Sequence, residues 1–277
     1  MSRLIVKKTN SRFSLPVFIL TVSLSLVGFL LALALLAPSV WNVQLAASFW
    51  TLVGVFLVAH LMNAFVEYFF HRYVLHASLI PGLGYFHQQH TIHHGLTKVT
   101  WKVVVGGTAQ EELHAVNRYP IVEPAQHWAS FFPWYTFLVF GILGTPLFIL
   151  GQWLFPDMPI FLASLLALAW SLTLYEILHA FEHRPLEFWT PRLHDPLWGW
   201  FWRKFYAFHL RHHADILSNE SISGFFGSPV ADWCFGTYVG VVDLYEDGTV
   251  TRKESFISPS PRFIGWLDRL AERSKRS

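Results

Sequence analysis

"EYFFHRYVLH" (67–76) ends a long apolar run on two histidines, and "HQQHTIHHG" (87–95) follows with four more. The first stretch decides the fold, because it fixes where an apolar segment stops and which chemistry stands at its mouth. Upstream of it, the run from about Phe49 to Phe70 has the roughly 20 residues a helix needs to cross a bilayer. Three other runs match it, at about Leu15 to Val40, Ser130 to Phe155 and Ile160 to Leu178. The Ser130–Phe155 run is the weakest, since Gly141, Gly144 and Pro146 invite a split into a re-entrant hairpin. The first run is longer than the apolar part of a signal peptide, about 7–15 residues, and another span follows directly, so it is read as a retained helix.

Composition agrees with this reading. Of 277 residues 53% are hydrophobic and only 14% charged, against about a quarter charged in a soluble domain. The 26 Phe and 13 Trp suit a chain that touches lipid and its interface. The net charge of +2 is small, and no basic patch with interleaved aromatics suggests nucleic acid. A single cysteine, Cys234, excludes an intrachain disulfide and a thiolate metal site. Any metal must therefore be held by nitrogen and oxygen.

Charge gives an orientation. Arg3, Lys7, Lys8 and Arg12 precede the first run, and the tail from Arg252 to Arg276 is rich in Lys and Arg. The positive-inside rule puts both termini in the cytosol. The expected architecture is an all-α integral, multi-pass membrane protein with about four transmembrane helices. The same rule leaves the segment from about His71 to Ala129 and everything after about His179 on the cytosolic side. The segments are a basic tail (1–13), a first transmembrane hairpin (15–70), a histidine cluster with its connector (71–129), a second hairpin (130–178), a second cluster and cap (179–240) and a C-terminal tail (241–277). "RLHDPLWGWFWRKFYAFHLRHH" (192–213) mixes Trp and Phe with Arg and Lys as an interfacial helix does. "SISGFFGSPVADWCFGTYVG" (221–240) reads as a compact loop, and 98–128 as a connector too long for a simple turn.

Ten of the 15 histidines fall into a repeated order of pair, triplet, pair, triplet. "HRYVLH" carries His71 and His76, and "HTIHH" carries His90, His93 and His94. "HAFEH" carries His179 and His183, and "HLRHH" carries His209, His212 and His213. In a helix, H-x-x-H-H spreads three imidazoles over an arc of about 100°, wide enough to serve two neighbouring metals. His179 and His183, at i and i+4, share one face. His71 and His76 stand about 140° apart on an ideal helix, so the helix is expected to bulge or break and the two to serve different metals. The charge rule puts all four clusters on one side, and ten nitrogens suit two ions at about five each. Imidazole suits Zn, Cu, Fe and Ni alike.

Glu67, one turn before His71, Glu176, three residues before His179, and Asp232 are the candidates to orient imidazoles by accepting an N–H. Glu182, Asp215 and Asn219 are weaker candidates. His87 is a lesser candidate ligand, while His60, His114, His127 and His194 read as ordinary core or surface histidines. A bis-histidine haem would need single histidines within the membrane rather than triplets at the mouths. A zinc transporter would carry its ligands near mid-membrane.

These four motifs, in this order between paired apolar runs, resemble the membrane fatty acid hydroxylase and sterol desaturase superfamily. The likeness runs from about Phe65 to Tyr238 and is greatest to the fatty acid 2-hydroxylase branch, whose segment after the last triplet is similar to "SGFFGSPVADWCFGTY". The resemblance implies a helical cap over the four membrane helices, on the side the charge rule makes cytosolic, with a histidine-rich di-metal site of two iron ions held by His71, His76, His90, His93, His94, His179, His183, His209, His212 and His213. It implies O2-dependent hydroxylation of a lipid, foremost an acyl chain. Zinc binds the same nitrogens, so which of the two metals purified protein carries is left open. Many 2-hydroxylases carry a fused haem-binding cytochrome domain; no such motif is read in this sequence, so the expected electron donor is a separate ferredoxin, cytochrome or reductase. The connector 98–128 has no counterpart placed in that pattern, which leaves the substrate open. Alternatives are a desaturase, a hydroxylase of a sterol, carotenoid or lipid headgroup and, from a different class, a non-catalytic metal-binding or transport protein.

Overall fold

The computed structural model describes residues 14–106, 110–241 and 243–274. The N-terminal cations Arg3, Lys7, Lys8 and Arg12, with Lys275 and Arg276, lie outside the described residues. Among the described residues four helices are long and apolar enough to cross a membrane. They are α1 (Leu15–Leu36), α3 (Phe49–Phe70, continuing to Leu75), α6 (Thr136–Leu154) and α7 (Ile160–Glu182). Their outward faces are apolar, with Leu24, Leu31, Leu147 and Trp153 exposed. A belt of this kind needs lipid or another apolar partner to cover it.

The first run stops at Leu36 instead of Val40, because Pro38 opens a short helix α2 (Pro38–Ala46). Proline lacks the N–H and fixes φ, so it suits a first turn and breaks an interior. The anticipated split of the third run does not occur: α6 is one helix through Pro146. Its glycines serve packing instead, since a Cβ on Gly141 would come within 2.6 Å of the Phe29 ring of α1. Ala64 of α3 and Ala163 and Ala167 of α7 are buried, small side chains that let helix backbones approach closely. At the end away from the histidines, the Gln44 amide donates to Gln152 Oε1 (3.0 Å) and accepts from the Leu162 N–H (3.1 Å), tying α2, α6 and α7 together.

The C-terminal ends of α3 and α7 carry the histidine pairs into a cap. The cap contains α4 (Gly84–Leu96), α5 (Pro124–Ala129), α8 (Leu186–Leu193), α9 (Gly199–Ala214), α10 (Val230–Phe235) and α11 (Gly265–Ser274). It is not wholly helical. The connector forms a ribbon in which β1 (Val99–Val105) pairs antiparallel with β2 (Glu111–Asn117), Val99 opposite Asn117. The all-α expectation is corrected here: "VTWKVVV" is rich in β-branched residues that fit a pleated surface. An isolated hairpin is marginal in water. This one is secured by Ala115 N–H to the Thr249 carbonyl and Thr251 N–H to the Leu113 carbonyl, both 2.8 Å. Its Val99 and Ala115 also join Trp189, Leu193, Tyr206, Leu210 and Leu244 in one buried cluster.

Candidate metal centre

The local geometry of each motif follows from its spacing. "HAFEH" spans one α-turn at the end of α7, so His179 and His183 stack on one face. "HRYVLH" solves the i, i+5 problem by changing helix type: residues His71–Leu75 are a π-helix, and the His76 N–H donates to the His71 carbonyl at 3.1 Å. One π-turn is five residues where an α-turn is four, so both pairs span a single turn. The expected bulge is present. The expected division of His71 and His76 between two metals is not, because both face the same group.

The ten histidines form two clusters, each able to hold a metal ion. His71, His76, His90, His94 and His212 make one; His93, His179, His183, His209 and His213 make the other. In each, the nearest ring nitrogens all lie within 4.8 Å of one another. Each H-x-x-H-H helix serves both clusters: α4 sends His90 and His94 to the first and His93 to the second, and α9 divides its triplet likewise. The clusters adjoin, with the His94 and His213 rings stacked at 4.1 Å.

The nitrogen contacts test whether a metal fits. His90 Nε2 lies 2.9 Å from His71 Nε2, 3.1 Å from His76 Nε2 and 3.1 Å from His94 Nε2. His76 Nε2 lies 3.1 Å from His212 Nε2; in the second cluster His93–His179 is 3.3 Å and His209–His213 is 3.2 Å. Metal–imidazole bonds of about 2.0–2.1 Å place neighbouring nitrogens about 2.9 to 3.4 Å apart, for right-angled and tetrahedral arrangements respectively. Hydrogen bonding alone does not account for the contacts, because His90 Nε2 meets three other Nε2 atoms with a single proton or a single lone pair to offer. Five tautomers are moreover fixed with the proton facing away. His71, His183 and His212 donate Nδ1–H to the carbonyls of Glu220 (2.5 Å), Tyr119 (2.8 Å) and Ser218 (2.8 Å). His93 donates to Ser130 Oγ (2.7 Å), whose own proton goes to the Gln126 carbonyl; His213 donates to Thr97 Oγ1 (3.1 Å), whose proton goes to the His93 carbonyl. Their Nε2 lone pairs are left pointing inward, and His183 Nε2 has no partner among the described residues. Converging lone pairs repel, and a cation relieves that repulsion.

Burial keeps the cap imidazoles neutral, as ligands must be. His183 is pushed down to about 3 by burial, against the opposing pull of its bond to the Tyr119 carbonyl. His90, His93, His94, His209, His212 and His213 are held well below the ordinary histidine range, by burial first and by neighbouring imidazoles second.

The three carboxylates expected to accept imidazole protons do other work. Glu67 accepts the N–H groups of Ile222 (2.5 Å), Ser223 (2.8 Å) and Gly224 (3.1 Å) and the Ser223 hydroxyl, anchoring that loop to α3. Glu176 accepts the Phe132 N–H at 2.9 Å. Asp232 accepts the Glu220 and Ser221 N–H groups, both 2.9 Å, and so acts on His71 only through the peptide that carries the Glu220 carbonyl. Asn219 donates to the Phe208 and Val239 carbonyls, while Asp215 faces Arg211 and Ser258.

Outside the clusters, His87 donates to the Leu75 carbonyl (2.6 Å) and His114 to the Gly248 carbonyl (2.6 Å). His194 donates to the Thr190 carbonyl, His127 lies against Phe131, and His60 bonds Ser171 Oγ and the Phe226 N–H. Sequence reasoning missed Arg72 and Glu220, both fully buried. Arg72 pairs with Glu220 Oε1 (2.9 Å) and, in a two-pronged contact, with Asp268 of α11 (2.9 and 2.8 Å). Glu220 Oε2 lies 3.6 Å from His71 Nδ1. The one available signal was an arginine inside a histidine motif.

Apolar space reaches the first cluster. A narrow cavity of about 60 Å³, lined by Val66, Phe70, Phe140 and Leu172, ends at His71. It shares Leu75, Phe132 and Tyr175 with a smaller one of about 20 Å³ at His90. Tyr85, Gln89 and Phe131 line both this small cavity and an open one of about 390 Å³ beside Trp128 and Trp134. A cavity of about 640 Å³ lies at the other end of the helices, walled by Leu36, Val43, Phe148 and Trp153, and touches none of the ten histidines. Compared with family models, curated proteins and solved structures, the chain gives no match.

Proposed function

We propose that this chain is a membrane-embedded, O2-dependent di-iron oxygenase that hydroxylates a lipid, foremost on an acyl chain. The observation that carries the reading is the pair of adjoining five-imidazole clusters, their lone pairs turned inward, at the end of apolar helices and beside a narrow apolar cavity. The resemblance to the fatty acid hydroxylase superfamily supports it. Two irons held by the ten histidines would supply the activation of O2 needed to insert oxygen into a C–H bond. The chain's own part is positional. The carbonyls of Tyr119, Ser218 and Glu220 and the hydroxyls of Thr97 and Ser130 hold five imidazoles in register. Phe70, Phe132 and Phe140 wall the approach to His71, keep water out and leave room for a slender chain. Electrons come from a separate ferredoxin, cytochrome or reductase. Both termini, the cap and the metal centre lie on the cytosolic side, where such a donor has access.

The test is lipid analysis of cells expressing the intact chain beside His93→Ala/His212→Ala, with iron and zinc counted in the purified proteins. A lipid class that gains one oxygen only with the intact chain is the expected result. A loss of two hydrogens assigns desaturation instead. Iron-loaded protein that consumes no O2 with a reductant overturns the oxygenase reading in favour of a metal-binding or transport protein.

A further inference from the structure

Glu182 stands between the two histidines of "HAFEH" in sequence and takes no part in either cluster. The residue is 2% exposed, and among the described residues its Oε2 has no hydrogen-bond partner and no ion pair joins it. It lines a cavity of about 410 Å³ between α9, α10 and the loop at 221–229. The other walls are largely aromatic: Trp200, Phe201, Phe205, Phe208, Trp233 and Tyr238. Trp200, Trp233 and Tyr238 are exposed at its rim. The lining contains one basic side chain, Lys204, whose Nζ lies 5.6 Å from the centre of the Trp200 ring. The loop wall is tightly turned: Gly224 has φ +46°, and a Cβ there would meet the Ser228 carbonyl oxygen at 2.3 Å.

A buried carboxylate without a partner is costly unless a ligand supplies a donor or a positive charge. Aromatic faces around it favour a cation, and an alkylammonium in particular, because such a group is weakly hydrated and attracted to the ring faces. Lys204 at the mouth offers a place for a phosphate. Glu182 is also the last residue of the fourth apolar helix, so the cavity sits at the depth where headgroups lie if that helix spans a bilayer. We propose that this cavity binds the headgroup of a zwitterionic phospholipid, with its ammonium against Glu182 and the aromatic walls and its phosphate at Lys204.

The assignment deepens the oxygenase reading and rests on it for one step, that the bound lipid is the substrate. The placement suits that step. Ile222 and Gly224 line this cavity while Ser223, between them, lines the one that ends at His71. One thickness of backbone separates the two.

Binding needs no metal and can be measured apart from turnover. The full chain in detergent is titrated with a short-chain phosphatidylcholine and with the matching phosphatidylglycerol, following the fluorescence of the rim tryptophans. Phosphatidylcholine is expected to bind at least about tenfold more tightly than phosphatidylglycerol, and Glu182→Gln to remove about tenfold of that affinity. Trp233→Ala, at the exposed rim, gives a second loss and covers the case in which Glu182→Gln fails to fold. Equal affinity for the two lipids, or unchanged affinity in both variants, overturns the assignment. If oxygenated lipid forms while neither headgroup is preferred, the cavity reading falls and the oxygenase reading stands. If phosphatidylcholine binds as expected and iron-loaded protein consumes no O2, the oxygenase reading falls and the headgroup site stands.

Discussion

At the scale of single residues, the centre depends on where protons are kept. Ser130 and Thr97 each give their own proton to a carbonyl, which obliges them to accept from His93 and His213. Ser130→Ala is expected to weaken metal binding by about 10- to 100-fold, measured by competition with a chelator. His93→Ala is expected to abolish turnover while the protein still inserts in the membrane, checked by activity and by carbonate extraction. Acid acts through the same nitrogens. Burial puts His183 at about 3 in the folded chain against 6.5 for a free histidine, so between those values the unfolded chain binds the extra proton. Stability is therefore full above about pH 6.5 and falls as pH drops toward 3. Thermal midpoints of the chelator-treated protein should decline steadily from pH 7 to pH 4, and a flat profile would contradict the buried neutral imidazoles. The ligand candidates were legible because three- and four-residue spacings state which side chains share a helical face. Their proton acceptors were not, because three of the five fixed tautomers end on backbone carbonyls, which any residue type supplies.

At the scale of elements, the result of the expected bulge and a change of partner escaped the sequence. Five-residue spacing between His71 and His76 signalled that an α-helix could not persist, but not that a π-turn would return both rings to one side. Glu67 lies one turn before His71, which invited a direct contact; in the fold the loop at 222–224 comes down onto it first. β-Branched residues at 99–105 fit a strand, although the segment reads by itself only as a connector between helical parts. The Arg72–Asp268 contact spans 196 positions and leaves no local trace. It nonetheless docks α11 against the π-turn and makes the C-terminal tail part of the cap. Asp268→Ala removes one of the two carboxylates on a buried guanidinium and is expected to cost about 2 kcal/mol, read from denaturant unfolding in detergent. Gly141→Val would press on Phe29 and is expected to cost about 1–3 kcal/mol by the same measurement, with the cap unchanged.

At the scale of the whole molecule, four apolar helices and a capped end were legible from run lengths alone, because a bilayer imposes a length that ordinary cores do not. The proposed sidedness rests on the sequence alone, through the basic segments at either end of the chain. Cys234, the one cysteine, is exposed in the cap. A membrane-impermeant maleimide is expected to label it in inside-out vesicles and not in intact cells; the reverse pattern would invert the topology. The division of each triplet between both clusters has a further consequence, for biosynthesis. A chain emerging from the ribosome presents His71, His76, His90 and His94 early, four of the five imidazoles of the first cluster but only His93 of the second. Neither cluster is complete until α9 has been made and folded back. Metal delivered during translation therefore meets a partly built first cluster and almost nothing of the second, so the order of synthesis biases the order of filling and makes α9 the closing step for both.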